Sequence, residues 1–302
     1  MGLWLILALG AAFFVALGDF LNKKYFSSEG MAAMALVRTL APVPFLLAVI
    51  FLGFEPESYL HFTLTVLKKP AFFQTLLALL PLEISALLLY MEAIRVSPLS
   101  LTLPLLAFTP AFLIGTGFIF LGERLSASGV AGIFLVVLGS YLLHLPRLPE
   151  GPLAPLKSLL RERGSLLMLA VAGIYAVTSA LGKRAILLSS PLWFASFYFV
   201  LLGLVVPFLL RIFRGTRILP LFRKKPLGFF LLGLSQALMV VCHMQAISLA
   251  PAAYMIAVKR TSILFGVFLG GAFLRERYFG VRLLAAAVMV GGVFLLALTY
   301  GG

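Results

Sequence analysis

Long apolar runs separated by short polar turns set the pattern of this chain. Ten runs fall near residues 3–21, 31–53, 71–95, 99–121, 126–145, 165–188, 191–213, 227–249, 252–274 and 279–299. Each holds roughly 20 mostly apolar residues, the number a helix rising 1.5 Å per residue needs to cross a hydrocarbon layer of about 30 Å. Turn residues punctuate them, as at Ser97-Pro98, Ser126 to Gly129, Ser190-Pro191 and Ala250-Pro251. Two longer polar connectors cover about 146–164 and 215–226. Membrane β-strands would alternate polar and apolar positions over about 10 residues, and these runs do not. The pattern predicts an all-α polytopic membrane protein with ten transmembrane helices. No basic stretch precedes the first run, so it reads as a retained helix rather than a cleaved signal.

The runs repeat. A shift of 153 positions lays Met91-Glu92-Ala93-Ile94 on Met244-Gln245-Ala246-Ile247, Pro98 on Pro251, Gly117 on Gly270, Glu123-Arg124 on Glu276-Arg277 and Gly139 on Gly292. Over 91–143 roughly a quarter of the pairs are identical, against about a tenth expected from shared composition. A shift of 160 matches Ala16, Leu21, Lys23 and Lys24 to Ala176, Leu181, Lys183 and Arg184. The chain therefore divides into a five-helix repeat over 1–145, a connector over 146–164 and a second five-helix repeat over 165–302. Five is odd, so the second repeat enters the membrane upside down relative to the first. Inverted repeats around a midplane site are a construction for alternating access.

The ends of the fourth helices, Leu121-Gly122-Glu123-Arg124 and Leu274-Arg275-Glu276-Arg277, together with ten spans in two halves, resemble the EamA-type branch of the drug/metabolite transporter superfamily. The resemblance covers nearly the whole chain. It implies a secondary transporter, with both termini on the cytosolic side. It leaves the substrate wide, because that superfamily moves amino acids, drugs, sugars and phosphorylated metabolites.

Composition agrees with a membrane solvent. Hydrophobic residues make up 62% and charged residues 11%, and mean hydropathy is +1.13; soluble domains carry about 25% charge. A soluble enzyme, a nucleic-acid reader and a disordered scaffold are excluded. The single Cys242 rules out an internal disulfide. The formal charge of +14 reads as loop charge at the cytosolic face. With the N-terminus in the cytosol, five connector cations would lie inside and sixteen outside. Charge thus places both termini outside, against the family resemblance.

Ionisable groups inside the runs carry the functional signal, since each costs about 2.5–3.5 kcal/mol at a helix centre and needs a partner. Lys259 and Arg260 stand near the middle of the ninth run, followed by Thr261 and Ser262. Two adjacent cations call for a wet cavity and an anion. Arg supplies a planar fork for oxyanions and Lys a mobile point charge. The dipeptide is similar to the pair with which plastid phosphate translocators hold phosphate, though the matched Leu106-Ala107 has no cation. Glu83, two residues after Pro81, is the natural internal counter-ion, or else a proton carrier or an acceptor for a substrate ammonium group. Glu83, Leu87 and Tyr90 share a helix face, as do their repeat partners Gln236, Val240 and His243. Arg38 either neutralises Asp19 or adds to a cationic vestibule; Lys23 also stands at i+4 from Asp19. Glu92 reads as structural, and Glu123 and Glu276 as helix-start caps.

The predicted binding set is Lys259, Arg260, Ser262, Glu83, Tyr90, His243, Gln236 and Arg38, lining a cavity between spans 2–4 and 7–9. His61, His144 and His243 lack ligand spacing and no P-loop occurs, so no metal, cofactor, nucleic acid or ATP is expected. Glycine spacings such as Gly129-xx-Gly132, Gly266-xxx-Gly270 and Gly291-Gly292 permit close helix approach, and Gly292, which repeats Gly139, points to tight packing of helices five and ten, within a monomer or across a homodimer. The expected function is transport of a small organic anion, phosphorylated anions included, by alternating access in the inner or plasma membrane. Export of amino acids or amphipathic drugs is the alternative, for which Glu83, Tyr90, Tyr175, Tyr198 and Tyr254 matter more. A non-transporting scaffold or an integral-membrane enzyme is the competing class.

Overall fold

Proline starts and glycine stops mark out the helices. A computed structural model describes residues 2–97, 102–142, 162–215, 218–265 and 279–300, and among these there is no strand. The helices are α1 (Leu3–Phe26), α2 (Met31–Leu40), α3 (Val43–Gly53), α4 (Pro56–Leu67), α5 (Pro70–Val96), α6 (Phe108–Leu121), α7 (Ala127–Leu142), α8 (Arg163–Leu187), α9 (Pro191–Arg214), α10 (Ile218–Lys224), α11 (Pro226–Leu249), α12 (Ala252–Lys259) and α13 (Phe279–Tyr300). Pro56, Pro70, Pro191 and Pro226 occupy the first helical position of α4, α5, α9 and α11, where the missing N–H costs nothing. Gly122 and Gly215, with φ of 67° and 63°, end α6 and α9 in the left-handed conformation.

Among the described residues, six helical segments are long and apolar enough to cross a bilayer: Leu3–Glu29, Met31–Gly53, Pro70–Val96, Arg163–Leu187, Pro191–Phe213 and Pro226–Leu249. Shorter apolar helices cover Leu105–Leu121, Ala127–Leu142 and Leu284–Tyr300. The ninth predicted run is described only to residue 265. Its repeat markers Gly270, Glu276 and Arg277, together with Gly266, Pro98 and residues 143–161 of the connector region, lie outside the described residues.

The structure adds two helices to the pattern. α4 and α10 occupy stretches that the sequence reads as connectors. At 12 residues, α4 reaches about 18 Å and cannot span a bilayer. It lies against α9 instead: Val66 is buried and Thr63 accepts a 2.9 Å hydrogen bond from Trp193 Nε1, while Leu60, Phe62 and Leu64 are exposed.

Two predicted continuous helices are interrupted. The second span turns at Ala41 and Pro42 between α2 and α3, because Pro42 and Pro44 offer no N–H to the carbonyls of Arg38 and Leu40. In the fourth span a tighter 3₁₀ segment, Leu103–Ala107, precedes α6. The ninth span tightens at the matching place: Thr261 N bonds Val258 O at 3.0 Å, and Ile263 N bonds Arg260 O at 3.0 Å. By contrast α5 runs through Pro81 without a break.

Packing is reciprocal between the halves. α1 lies against α11 and α12, and its counterpart α8 lies against α5 and α6; α2 meets α9, α6 meets α12, and α7 meets α13. Glycines set the closest seam. A Cβ on Gly292 would lie 2.7 Å from Gly132 O, and one on Gly139 2.8 Å from Ala285 O. The glycine spacing therefore joins the fifth and tenth helices of one chain. Trp4 and Tyr300 meet edge-on at 6.0 Å, so both termini emerge at one end.

Candidate functional site

Beside the breaks in the second, fourth and ninth spans lies a cavity of about 140 Å³ lined by both halves, roomy enough for several waters. All eight residues singled out from the sequence line it: Arg38 from α2, Glu83 and Tyr90 from α5, Gln236 and His243 from α11, Lys259 from α12, and Arg260 and Ser262 just beyond. Leu87 and Val240 complete the two matched stripes on its wall. The cavity extends further than expected from spans 2–4 and 7–9. Val15 and Asp19 of α1 and Tyr175, Thr178, Ser179 and Lys183 of α8 line it too, because these long helices cross the middle of the molecule against α11 and α5.

On one side a charge cluster closes on itself. Asp19, only 3% exposed, takes a 2.5 Å hydrogen bond from Arg38 Nη1 and a 2.6 Å bond from Tyr90 Oη. The guanidinium lies 5.1 Å from the Tyr90 ring centre, and Tyr175 packs 6.2 Å from that ring. Of the two partners the sequence allowed Asp19, the structure selects Arg38. Lys23 turns away and donates to Ile94 O at 2.8 Å and Ser97 O at 2.7 Å, capping the last turn of α5.

On the other side the cations lack a carboxylate. Among the described residues no ion pair within 4.0 Å reaches Lys259 or Arg260. Lys259 Nζ lies 3.1 Å from His243 Nδ1 and 3.5 Å from Met239 Sδ. Arg260 is 6% exposed, and its Nε has no hydrogen-bond partner among the described residues. The expected Lys259–Glu83 pair is not formed. α12 packs chiefly on α6 and α1 rather than on α5, so the cavity separates the two side chains. Tyr198 Oη, also on the cavity wall, is likewise buried without a partner among the described residues.

At one end Glu123 and Lys183 join the halves. Lys183 Nζ donates to Glu123 Oε1 at 2.5 Å and to Ala250 O at 2.7 Å, while Ala252 N donates to both carboxylate oxygens at 3.0 and 3.1 Å. Glu123 does cap a helix start, but that of α12 rather than the following α7. The carboxylate meets the positive end of α12 and the ammonium the negative end of α11. Lys23 and Lys183, paired by the 160-residue shift, thus do the same work at matching helix ends.

The same shift, carried further, pairs Asp19 with Ser179 and Arg38 with Tyr198. All four line the cavity, so that extension was the signal for the α8 and α9 wall. Tyr254, weighed with the other tyrosines, is elsewhere: its hydroxyl is 3.2 Å from Ser126 Oγ and its ring 6.0 Å from Tyr300. Glu92 pairs with Arg95 at 2.8 Å away from the cavity. Among the described residues no group of three His, Cys, Asp or Glu converges on a point that could hold a metal.

Comparison with known proteins follows the two halves. No curated protein matches the chain. A crystal structure of a protein 17% identical in sequence superposes with a TM-score of 0.67, covering 97% of this chain and 96% of the other, which shows a shared fold. The EamA-like transporter family matches twice, over residues 2–145 and over 162–298. The two matches leave out little more than the connector, and the apolar helices make this a multi-pass membrane protein. The chain belongs to the EamA-like transporter family.

Proposed function

We propose that this protein is a ten-helix secondary transporter of the inner or plasma membrane. It carries a small organic anion by alternating access between inverted halves 1–145 and 165–302, and phosphorylated metabolites fall within its range. The observation that carries the reading is the cation pair. A buried Arg260 and a half-buried Lys259 face the cavity with no carboxylate in ion-pair range among the described residues, a costly arrangement in a membrane unless an anion completes it. With Asp19 committed to Arg38 and Glu123 to Lys183, two cations of the cavity wall face one carboxylate, Glu83. The reciprocal packing of α1 on α11 and α8 on α5 supports inversion, and the odd number of spans per half requires it. The cation-rich connectors mark the cytosolic face, which puts both termini outside; a tag accessible only from outside the cell checks this.

Uptake into vesicles reconstituted with the purified protein tests the function, using organic anions against zwitterions. Lys259→Ala and Arg260→Ala are expected to lower anion uptake by at least tenfold. Unchanged uptake with reduced stability makes the cations structural and overturns the reading. Glu83, free of any cation within 4.0 Å among the described residues, favours a second reading, export of amino acids or amphipathic drugs, in which zwitterions outcompete anions. A scaffold gives no uptake of either.

A further inference from the structure

Lys259 and His243 form an unusual contact: two basic nitrogens 3.1 Å apart on a cavity wall. An ammonium can donate to an imidazole Nδ1 only when that nitrogen carries no proton. With Lys259 charged, the contact requires the imidazole proton on Nε2, and the pair then carries a single titratable proton. A second proton would set two donors against each other beside the Arg260 charge.

An anion on Lys259 and Arg260 reverses that balance. Its charge removes the repulsion and draws the ammonium towards itself, which frees Nδ1 of His243. We propose that the Lys259–His243 pair is the proton-coupling site of the transporter: it holds a single proton when the cavity is empty and takes a second from the medium with each anion. The proposal rests on the anion reading above. By linkage the effect is mutual, so the proton tightens anion binding by the factor with which the anion tightens proton binding.

The groups facing the pair leave one competitor. From α1 and α2, Asp19 and Arg38 neutralise each other, and Tyr90 of α5 donates to that same carboxylate. From α8, Lys183 is held by Glu123. Tyr175 of α8 and Tyr198 of α9 remain neutral well above pH 7. Arg260 keeps its charge. Glu83, across the cavity on α5, is the other group able to take up a proton.

Purified full-length protein in detergent, in weakly buffered solution near pH 7, is titrated with methanesulfonate and with sulfate, neither of which takes up protons there. Binding is followed by calorimetry and proton uptake by a pH dye. Wild-type protein is expected to take up about one proton per anion, with affinity falling about tenfold per pH unit on the alkaline side. In His243→Gln the uptake is expected to fall to about zero and the pH dependence to flatten. Anion binding without proton uptake by the wild type overturns the coupling and leaves the anion reading intact. Uptake lost in Glu83→Gln and kept in His243→Gln also overturns it. Binding of neither anion sinks the anion reading and the coupling together.

Discussion

Two clusters of charge share one cavity and solve opposite problems. In the first half, Arg38 is answered by Asp19, and Tyr90 adds a second hydrogen bond to the same carboxylate. The guanidinium and the phenol donate to one carboxylate, so the cluster ties α1, α2 and α5 together. In the second half, the residue matched to Tyr90 is His243 and those matched to Leu106 and Ala107 are Lys259 and Arg260. The backbone is similar, with a tightened turn in both the fourth and ninth helices. The chemistry is not: the second cluster has donors and, among the described residues, no carboxylate in ion-pair range. One cluster buys rigidity from an internal pair, and the other keeps its charge for something that enters the cavity.

Breaking each cluster in turn sharpens the contrast. The largest effect on stability is expected from Asp19→Asn, which strands the Arg38 guanidinium. Reversible unfolding in mixed micelles should register a loss of about 3 kcal/mol, partly restored in Asp19→Asn/Arg38→Met. Next comes Glu123→Gln, which removes the charge from the Lys183 pair and from the start of α12, at about 2 kcal/mol in the same measurement.

A smaller effect belongs to Glu162, outside the spans, whose carboxylate caps α8. Burial pushes its pKa up, but hydrogen bonds from the Ser97 and Ser165 hydroxyls and from the Ser165 and Gly164 N–H groups outweigh it and hold the group below its ordinary range. A depressed carboxylate contributes stability above its unfolded value of about 4.3 and loses it as pH falls through the folded value. Glu162→Gln should cost about 1 kcal/mol at neutral pH, and the difference from wild type should shrink below about pH 4. The smallest effect is expected at the open cluster: Arg260→Met, which replaces a buried guanidinium with no carboxylate in ion-pair range among the described residues by a side chain of similar volume, should leave stability unchanged or slightly raised while anion binding falls. A loss at Arg260 as large as that at Asp19 would erase the distinction between the clusters.

Much of this was legible because a bilayer tolerates so few polar residues. Glu83, Tyr90, Gln236 and His243 announced a cavity wall by helical spacing alone, and Lys259 and Arg260 by their cost. α4 was missed because twelve residues of mixed polarity register neither as a span nor as a turn. The break at Ala41 and Pro42 was visible as a pair of prolines, but Pro81 looked equally disruptive and α5 absorbs it.

Sequence by itself determined that the chain is helical, apolar and duplicated, since helix length, solvent and repeat are all local or periodic properties. Tertiary structure alone decided the partners: Asp19 to Arg38 rather than Lys23, Glu123 to α12 rather than α7, and Lys259 to His243 rather than Glu83. The physical reason is range. Periodicity fixes which face of a helix a side chain occupies, but an ion pair forms only within a few ångströms, and which faces come that close depends on how the helices cross.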